Sequence, residues 1–133
     1  MAQEDKELVI IDLSARLNYG LRIQLTGSKT ICSLLGIRHN EIYTNVDSEP
    51  FDVDFVKPYL RPMSSMTEEE CKEAKTNGCI IYHDTSPKNR GLMVIASPKG
   101  IDWLNKHYFD YRGLIEKGLA LEAPEGMYDT KIQ

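Results

Sequence analysis

The sequence predicts an α+β fold: an amino-terminal antiparallel β-meander or small open barrel up to about Pro62, then a helix, a β-hairpin and two short carboxy-terminal helices. Three observations carry that reading. Leu21, Ile23 and Leu25 alternate with Arg22, Gln24 and Thr26, which is the period of a half-buried strand. Thr67 and Glu70 have the spacing of a capping box, and Ser97-Pro98 pairs a good N-cap residue with a proline at the first helical position. Ile101, Leu104, Tyr108, Tyr111 and Ile115 then recur at steps of three and four, one face of a helix. A chain of 133 residues is one domain on this reading, with a β-rich part at 8–62 and an α/β part at 63–133.

Taken in order, residues 1–7 are polar and read as a frayed end, and Leu8 to Leu13 (LVIIDL) reads as a short β-branched strand. The strand at 21–25 turns at Thr26-Gly27-Ser28-Lys29, because Gly27 can supply a positive φ, and returns through Thr30 to Leu35, ending at Gly36. Asn40 to Asn45 is a third strand. Phe51, Val53 and Phe55 alternate with Asp52 and Asp54, so they suit an edge strand or a short helical turn capped by an aspartate. Pro58 and Pro62 lack an N–H, which places VKPYLRPM at an edge or in an extended connection.

The helix starting at Thr67 carries Glu68, Glu69 and Glu70 at its positive end and stops at Asn77-Gly78, with Met66, Cys71 and Ala74 facing inward. Cys79 to Tyr82 and Leu92 to Ala96 form a hairpin around the loop HDTSPKNRG. Gly113 interrupts the last helical stripe and Asp110 can cap a new turn, so two short helices meet near Phe109–Asp110, and Gly118 closes the second. Leu119 to Leu121 adds a short strand, and Ala123 to Tyr128 is loop.

Several functions are disfavoured at this level. A formal charge of −4 gives no global attraction to nucleic acid or to an anionic membrane. No run approaches the ~20 apolar residues of a membrane span, and the acidic start is unlike a signal peptide. A cytoplasmic protein with no membrane partner is expected. Three cysteines, Cys32, Cys71 and Cys79, then read as reduced thiols. Cys71, Cys79 and His83 can be drawn as metal ligands, but they lack a fourth member and the usual spacing. Asp47, Glu49, Asp52 and Asp54 lack the glycine and closing glutamate of a calcium loop. No metal or cofactor is expected.

His39, His83 and His107 are the general-base candidates, yet none sits in a motif with a nucleophile, and no serine lies in a hydrolase signature. The chain is therefore read as more akin to a binding protein than an enzyme. The candidate binding residues are Lys88, Arg90 and Lys99, in a stretch from Ser86 to Gly100 without an acid, together with Trp103, Lys106, Tyr108 and Arg112. The cations suit an anion or nucleic acid; Trp103 and Tyr108 suit base stacking or a protein hot spot. A solvated loop and a core-covering helix are the plain readings of the same residues, and they are preferred.

Two blocks, YLRPMSSMTEEE (Tyr59 to Glu70) and IDWLNKHYFDYRGLIEKGLALEAPEGMY (Ile101 to Tyr128), with a shorter echo in DLSARLNYG (Asp12 to Gly20), are similar to segments shared by small phage and prophage proteins of gut anaerobic bacteria, a group with no assigned activity. The resemblance implies a bacterial cytoplasm and a mobile genetic element. It transfers no site residue. The expected function is that of a non-enzymatic interaction or accessory protein of a phage-like element that binds a protein partner. A nucleic-acid-binding module using the basic 86–100 stretch is the first alternative. A small-ligand binder or small enzyme around His83, Asp84 and His107 is the second. A homodimer stays open.

Overall fold

A computed structural model describes residues 1–84 and 91–128, with backbone only at 83, 84 and 91–93. Among the described residues the order is helix α1 (Gln3–Ala15), strands β1 (Arg22–Leu25), β2 (Thr30–Arg38), β3 (Glu41–Thr44), β4 (Phe51–Asp52) and β5 (Val56–Leu60), helix α2 (Glu68–Thr76), strands β6 (Cys79–Asp84) and β7 (Gly91–Ala96), helix α3 (Pro98–Lys106) and strand β8 (Leu121–Glu122). The fold is α+β, and its main sheet is open, in the order β4-β3-β2-β1-β5-β8. β6 and β7 form a separate two-stranded sheet.

The first segment departs from expectation. Leu8 to Leu13 is helical, and α1 begins at Gln3, so the polar start is not frayed. The buried positions explain why. Val9, Asp12, Leu13 and Arg16 recur at helical spacing and all are fully buried. Half of that buried face is charged, so a search for apolar alternation misses it. Lys6 holds the end down through Asp54 at 3.4 Å, and Glu4 and Asp5 suit the positive helix end.

The meander at β1–β3 forms as read, with a turn at 26–29 and Arg22↔Ser33 to Leu25↔Thr30 in register, but the positive φ of that turn falls on Lys29 (φ +58°) and not on Gly27. β2 does not stop at Gly36. It runs to Arg38, absorbing an irregularity between Leu34 and Gly36 where the register against β3 shifts. Both readings of 51–55 hold in part: Phe51–Asp52 is a two-residue edge strand, and the Asp52 carboxylate accepts the Asp54 N–H at 2.9 Å to start a 3-10 turn over Val53–Phe55.

β5 overturns the edge assignment of VKPYL. It lies between β1 and β8, with Pro58 opposite Ile23. Thr26 N–H donates to the Phe55 carbonyl at 2.9 Å. Antiparallel pairs alternate, so Ile23/Pro58 is a non-hydrogen-bonded pair and the proline nitrogen points away from β1. On that other side β8 pairs only with Tyr59 and Leu60. Proline therefore sits inside the sheet without orphaning a donor.

Just past that point the β1–β5 ladder is opened by a side chain. The Tyr128 hydroxyl accepts the Arg22 N–H at 2.9 Å and donates to the Tyr59 carbonyl at 2.9 Å. Its ring stacks on Tyr108 at 3.7 Å. Burial pushes this phenol's pKa well above its usual value.

α2 has the expected capping box: Thr67 Oγ1 accepts the Glu70 N–H at 3.1 Å, and Glu70 accepts the Thr67 N–H at 3.0 Å. α3 starts at Ser97 as read, but its stripe does not continue to Ile115. Tyr108 N–H bonds the Asn105 carbonyl and Phe109 N–H bonds the Leu104 carbonyl, with Tyr108 at φ +65°. These are the two bonds of a Schellman stop, sealed by contact of Phe109 with Leu104 in the core. The second carboxy-terminal helix does not form; 114–118 is a single hydrogen-bonded turn bracketed by Gly113 and Gly118, both at positive φ. Asp110 caps it by accepting Leu114 and Ile115 N–H at 2.9 Å each, and Gly118 (φ +76°) closes it.

Among the described residues there are two apolar clusters. The larger lies between α1 and the main sheet, around Leu13, Ile23, Ile42 and Leu60, and takes in Leu114 and Leu119. The smaller lies between α2, α3 and the hairpin, around Trp103, Leu104, Phe109 and Met66. A parallel bridge between Arg61 and Phe109 joins the two halves of the chain.

Two substitutions check this packing. A Cβ on Gly100 would stand 2.8 Å from the Gly78 carbonyl oxygen and 2.9 Å from Cys79 Sγ. Gly100→Ala should therefore lose about 1–3 kcal/mol in urea unfolding, although alanine is the better helix former; a stabilised variant would show that α3 can lift off the hairpin. Tyr128→Phe removes the bridge between Arg22 and Tyr59 and should also cost about 1–3 kcal/mol, with a loss below about 0.5 kcal/mol counting against the bridge.

Candidate functional site

The structure disperses the residues that sequence reasoning grouped. Lys99 in the first turn of α3 and Lys106 at its end are exposed. Lys88 and Arg90 lie outside the described residues, as do the side chains of His83 and Asp84. Trp103 is only 6 % exposed and is a core residue, which sets aside its reading as a stacking platform or hot spot. Tyr108 is half-buried, its hydroxyl donates to the Tyr19 carbonyl, and its ring is covered by Tyr128. Arg112 turns inward to Asp12 at 2.7 Å. His39 is exposed in the turn between β2 and β3. Cys79 is buried with its thiol on the Gly100 carbonyl, and among the described residues no group of three ligands is placed to hold a metal.

The polar rim of the smaller core gathers several titratable groups around Trp103. Trp103 Nε1–H donates to Glu73 Oε1 at 2.9 Å, and the same oxygen lies 3.6 Å from His107 Nε2. The His107 ring packs on Trp103 with centroids 4.3 Å apart. Burial depresses the imidazole pKa, and Glu73 and Glu70 offset this only in part. Beside it Arg61 forks onto Glu70 at 2.8 and 2.7 Å while lying over the Phe109 ring at 4.2 Å. Burial alone would raise the Glu70 carboxyl, but the Arg61 hydrogen bond, the Thr67 cap and the guanidinium charge together hold it below the usual carboxylate range. Among the described residues no hydroxyl or thiol is hydrogen-bonded to His107, so the rim has a base without a nucleophile.

The feature that does face outward is the β6–β7 hairpin. Its two strands pair without a bulge from Cys79↔Ala96 to Asp84↔Gly91. One face packs Cys79, Ile81, Val94 and Ala96 against α2 and α3. The opposite face presents Ile80 and Ile95, which are direct cross-strand partners, at 61 % and 58 % exposure, with Tyr82 beside them at 41 %. No charged side chain is described on that face. A regularly paired apolar patch of this kind gains by being covered.

No family model, curated protein or solved structure matches the chain.

Sequence reading found the hairpin but not its exposed face. The signal was present: CIIY and LMVIA are apolar at every position, whereas a two-stranded sheet covered on one side should alternate. Such runs imply either a second covering layer or an exposed patch, and α2 and α3 supply only one layer.

The depressed His107 pKa has a sign that can be tested. The folded state binds this proton less readily than the unfolded chain, so its contribution is complete above the usual imidazole value of about 6.5. It is lost as pH falls from there through the folded value. Urea midpoints of the wild type should fall with acidity below about pH 6.5, whereas His107→Gln should be flat until the carboxylates titrate. Identical slopes in both proteins would remove His107 as the cause.

Proposed function

We propose that the chain is a non-enzymatic interaction protein that binds a protein partner through the exposed face of the β6–β7 hairpin. The single observation behind this reading is the cross-strand pair Ile80 and Ile95, both more than half exposed and flanked by Tyr82 on a regularly paired face. An isoleucine pair beside a tyrosine suits the apolar centre of an interface, and a complementary apolar surface would release their hydration water. The partner on this reading presents its own apolar patch. The resemblance of the 59–70 and 101–128 blocks to phage and prophage proteins supports the setting, an accessory factor of a mobile element acting in the cytoplasm of its bacterial host. The burial of Trp103 weighs against the nucleic-acid alternative, which needed that ring for stacking.

A photo-crosslinking amino acid at position 80, expressed in the host cell, tests the proposal against the same group at Ile11, an equally exposed position on α1. A discrete protein adduct at 80 and not at 11 is expected, and Ile95→Lys in the same chain should abolish it. That substitution should leave folding stability within about 0.5 kcal/mol, because the position is solvated. No adduct at 80, or the same adducts from both positions, would overturn the reading.

A further inference from the structure

The β1–β5 ladder stops one pair short of where its register leads. Leu34 N–H donates to the Leu21 carbonyl at 3.0 Å, so Leu21 addresses β2 and its neighbour Arg22 turns its backbone groups toward β5. Ala123 N–H donates to the Leu60 carbonyl at 2.8 Å, so Leu60 addresses β8 and Tyr59 turns toward β1. Ile23 lies opposite Pro58, which makes Arg22 and Tyr59 the next pair, of the hydrogen-bonded kind. The ladder does not include it. The Tyr128 hydroxyl stands there instead, 2.9 Å from the Arg22 nitrogen, 3.4 Å from the Arg22 oxygen and 2.9 Å from the Tyr59 oxygen.

The segment that delivers this hydroxyl is tied down by little else. Pro124, Glu125 and Gly126 are exposed, and the bond from Met127 N–H to the Pro124 carbonyl at 3.1 Å is local. Among the described residues, only the Tyr128 hydroxyl links 124–128 to the rest of the chain by hydrogen bonds. The second anchor is the ring, which stacks on Tyr108 and touches the larger core. Withdrawing a buried hydroxyl ordinarily strands its partners, and that cost keeps a segment shut. Here it strands nothing, because Arg22 N–H and the Tyr59 carbonyl are each other's ladder partners. Opening exchanges two bonds to a side chain for a direct backbone bond and returns the phenol to water. What holds the closed state is therefore mainly the burial and stacking of one ring.

We propose that residues 124–128 form a strap with two states, latched when the Tyr128 hydroxyl enters the β1–β5 ladder and released when Arg22 pairs directly with Tyr59. Both states satisfy the Arg22 N–H and the Tyr59 carbonyl, so the strap switches between two complete arrangements, which fraying of a chain end does not do. Release bares the ring face of Tyr108, whose hydroxyl stays on the Tyr19 carbonyl. The 108–112 segment and β8 keep their places, since their own bonds do not pass through Tyr128. The strap is independent of the hairpin face.

NMR on the isotope-labelled full chain tests this. In the wild type, saturation-transfer and relaxation-dispersion measurements should show the Arg22 and Tyr59 backbone and the Tyr128 ring exchanging at one rate with a minor state populated at about 1 %. In Tyr128→Ala the released arrangement should be the only one. A scalar coupling across the hydrogen bond, from the Arg22 amide nitrogen to the Tyr59 carbonyl carbon, should then appear where the wild type has none. The Arg22 amide should keep its hydrogen-exchange protection within about threefold, and its shifts should match those of the wild-type minor state. A bridge that is only structural gives the opposite result, Arg22 protection reduced about tenfold or more and no coupling, and that outcome would overturn the proposal. Unlinked or undetectable exchange at Arg22 and Tyr128 in the wild type would overturn it as well, whether or not the alanine variant folds.

Discussion

The buried pair of Asp12 and Arg16 is the constraint on which the rest of the structure depends. Desolvating two charges costs several kcal/mol each, and further hydrogen bonds to the pair offset part of that. Asp12 sits on α1 one turn before Arg16, so the two could pair in an isolated helix for a few tenths of a kcal/mol. What makes their burial tolerable comes from the far end of the chain: the Phe109 carbonyl and the Arg112 guanidinium. The 108–112 segment must therefore lie against α1. The Schellman stop after Lys106, with Tyr108 at positive φ, provides the reversal that puts it there.

The same segment serves the second core. Phe109 is fully buried against Trp103 and Leu104, carries Arg61 on its ring face, and pairs its backbone with Arg61 just beyond β5. Arg61 in turn holds Glu70, and Glu70 closes the α2 cap with Thr67. One residue thus links α1, the main sheet, α2 and α3. The hairpin hangs from this framework on one face only, which is why its other face is left to solvent.

Local chemistry was the legible part of the sequence. The Thr67 box, the Ser97-Pro98 start, the 26–29 turn and the Gly118 stop depend on a few adjacent residues, and each formed where the residues indicated. The failures were long-range. Leu8 to Leu13 is rich in strand formers, yet α1 is helical because its buried face includes Asp12 and Arg16, whose partners lie about a hundred positions away. Pro58 reads as a sheet-edge signal, yet it tolerates a central position because β8 begins one residue later. The aromatic stripe at 101–115 is a helix face on paper, and a C-terminal stop with tyrosine in place of glycine carries no sequence mark. At the candidate surface the hairpin was legible but its exposure was not, because doubly apolar strands do not say which side their neighbours cover.

The closing of the ends has a consequence for how this chain comes into being. Asp12 meets Arg112, and Arg22 meets Tyr128, across separations of 100 and 106 residues. During synthesis α1 emerges about a hundred residues before the groups that partner its inward side chains. Until then α1 can shelter on the β1–β3 meander only by leaving Arg16 wet or half-paired. The amino-terminal half should therefore persist as a loosely docked intermediate, and the final consolidation should proceed in one step as the 108–112 segment docks, with a loop-closure entropy that makes it slow for a protein of this size. Such a chain is assembled like a clasp, useful only once both halves are present.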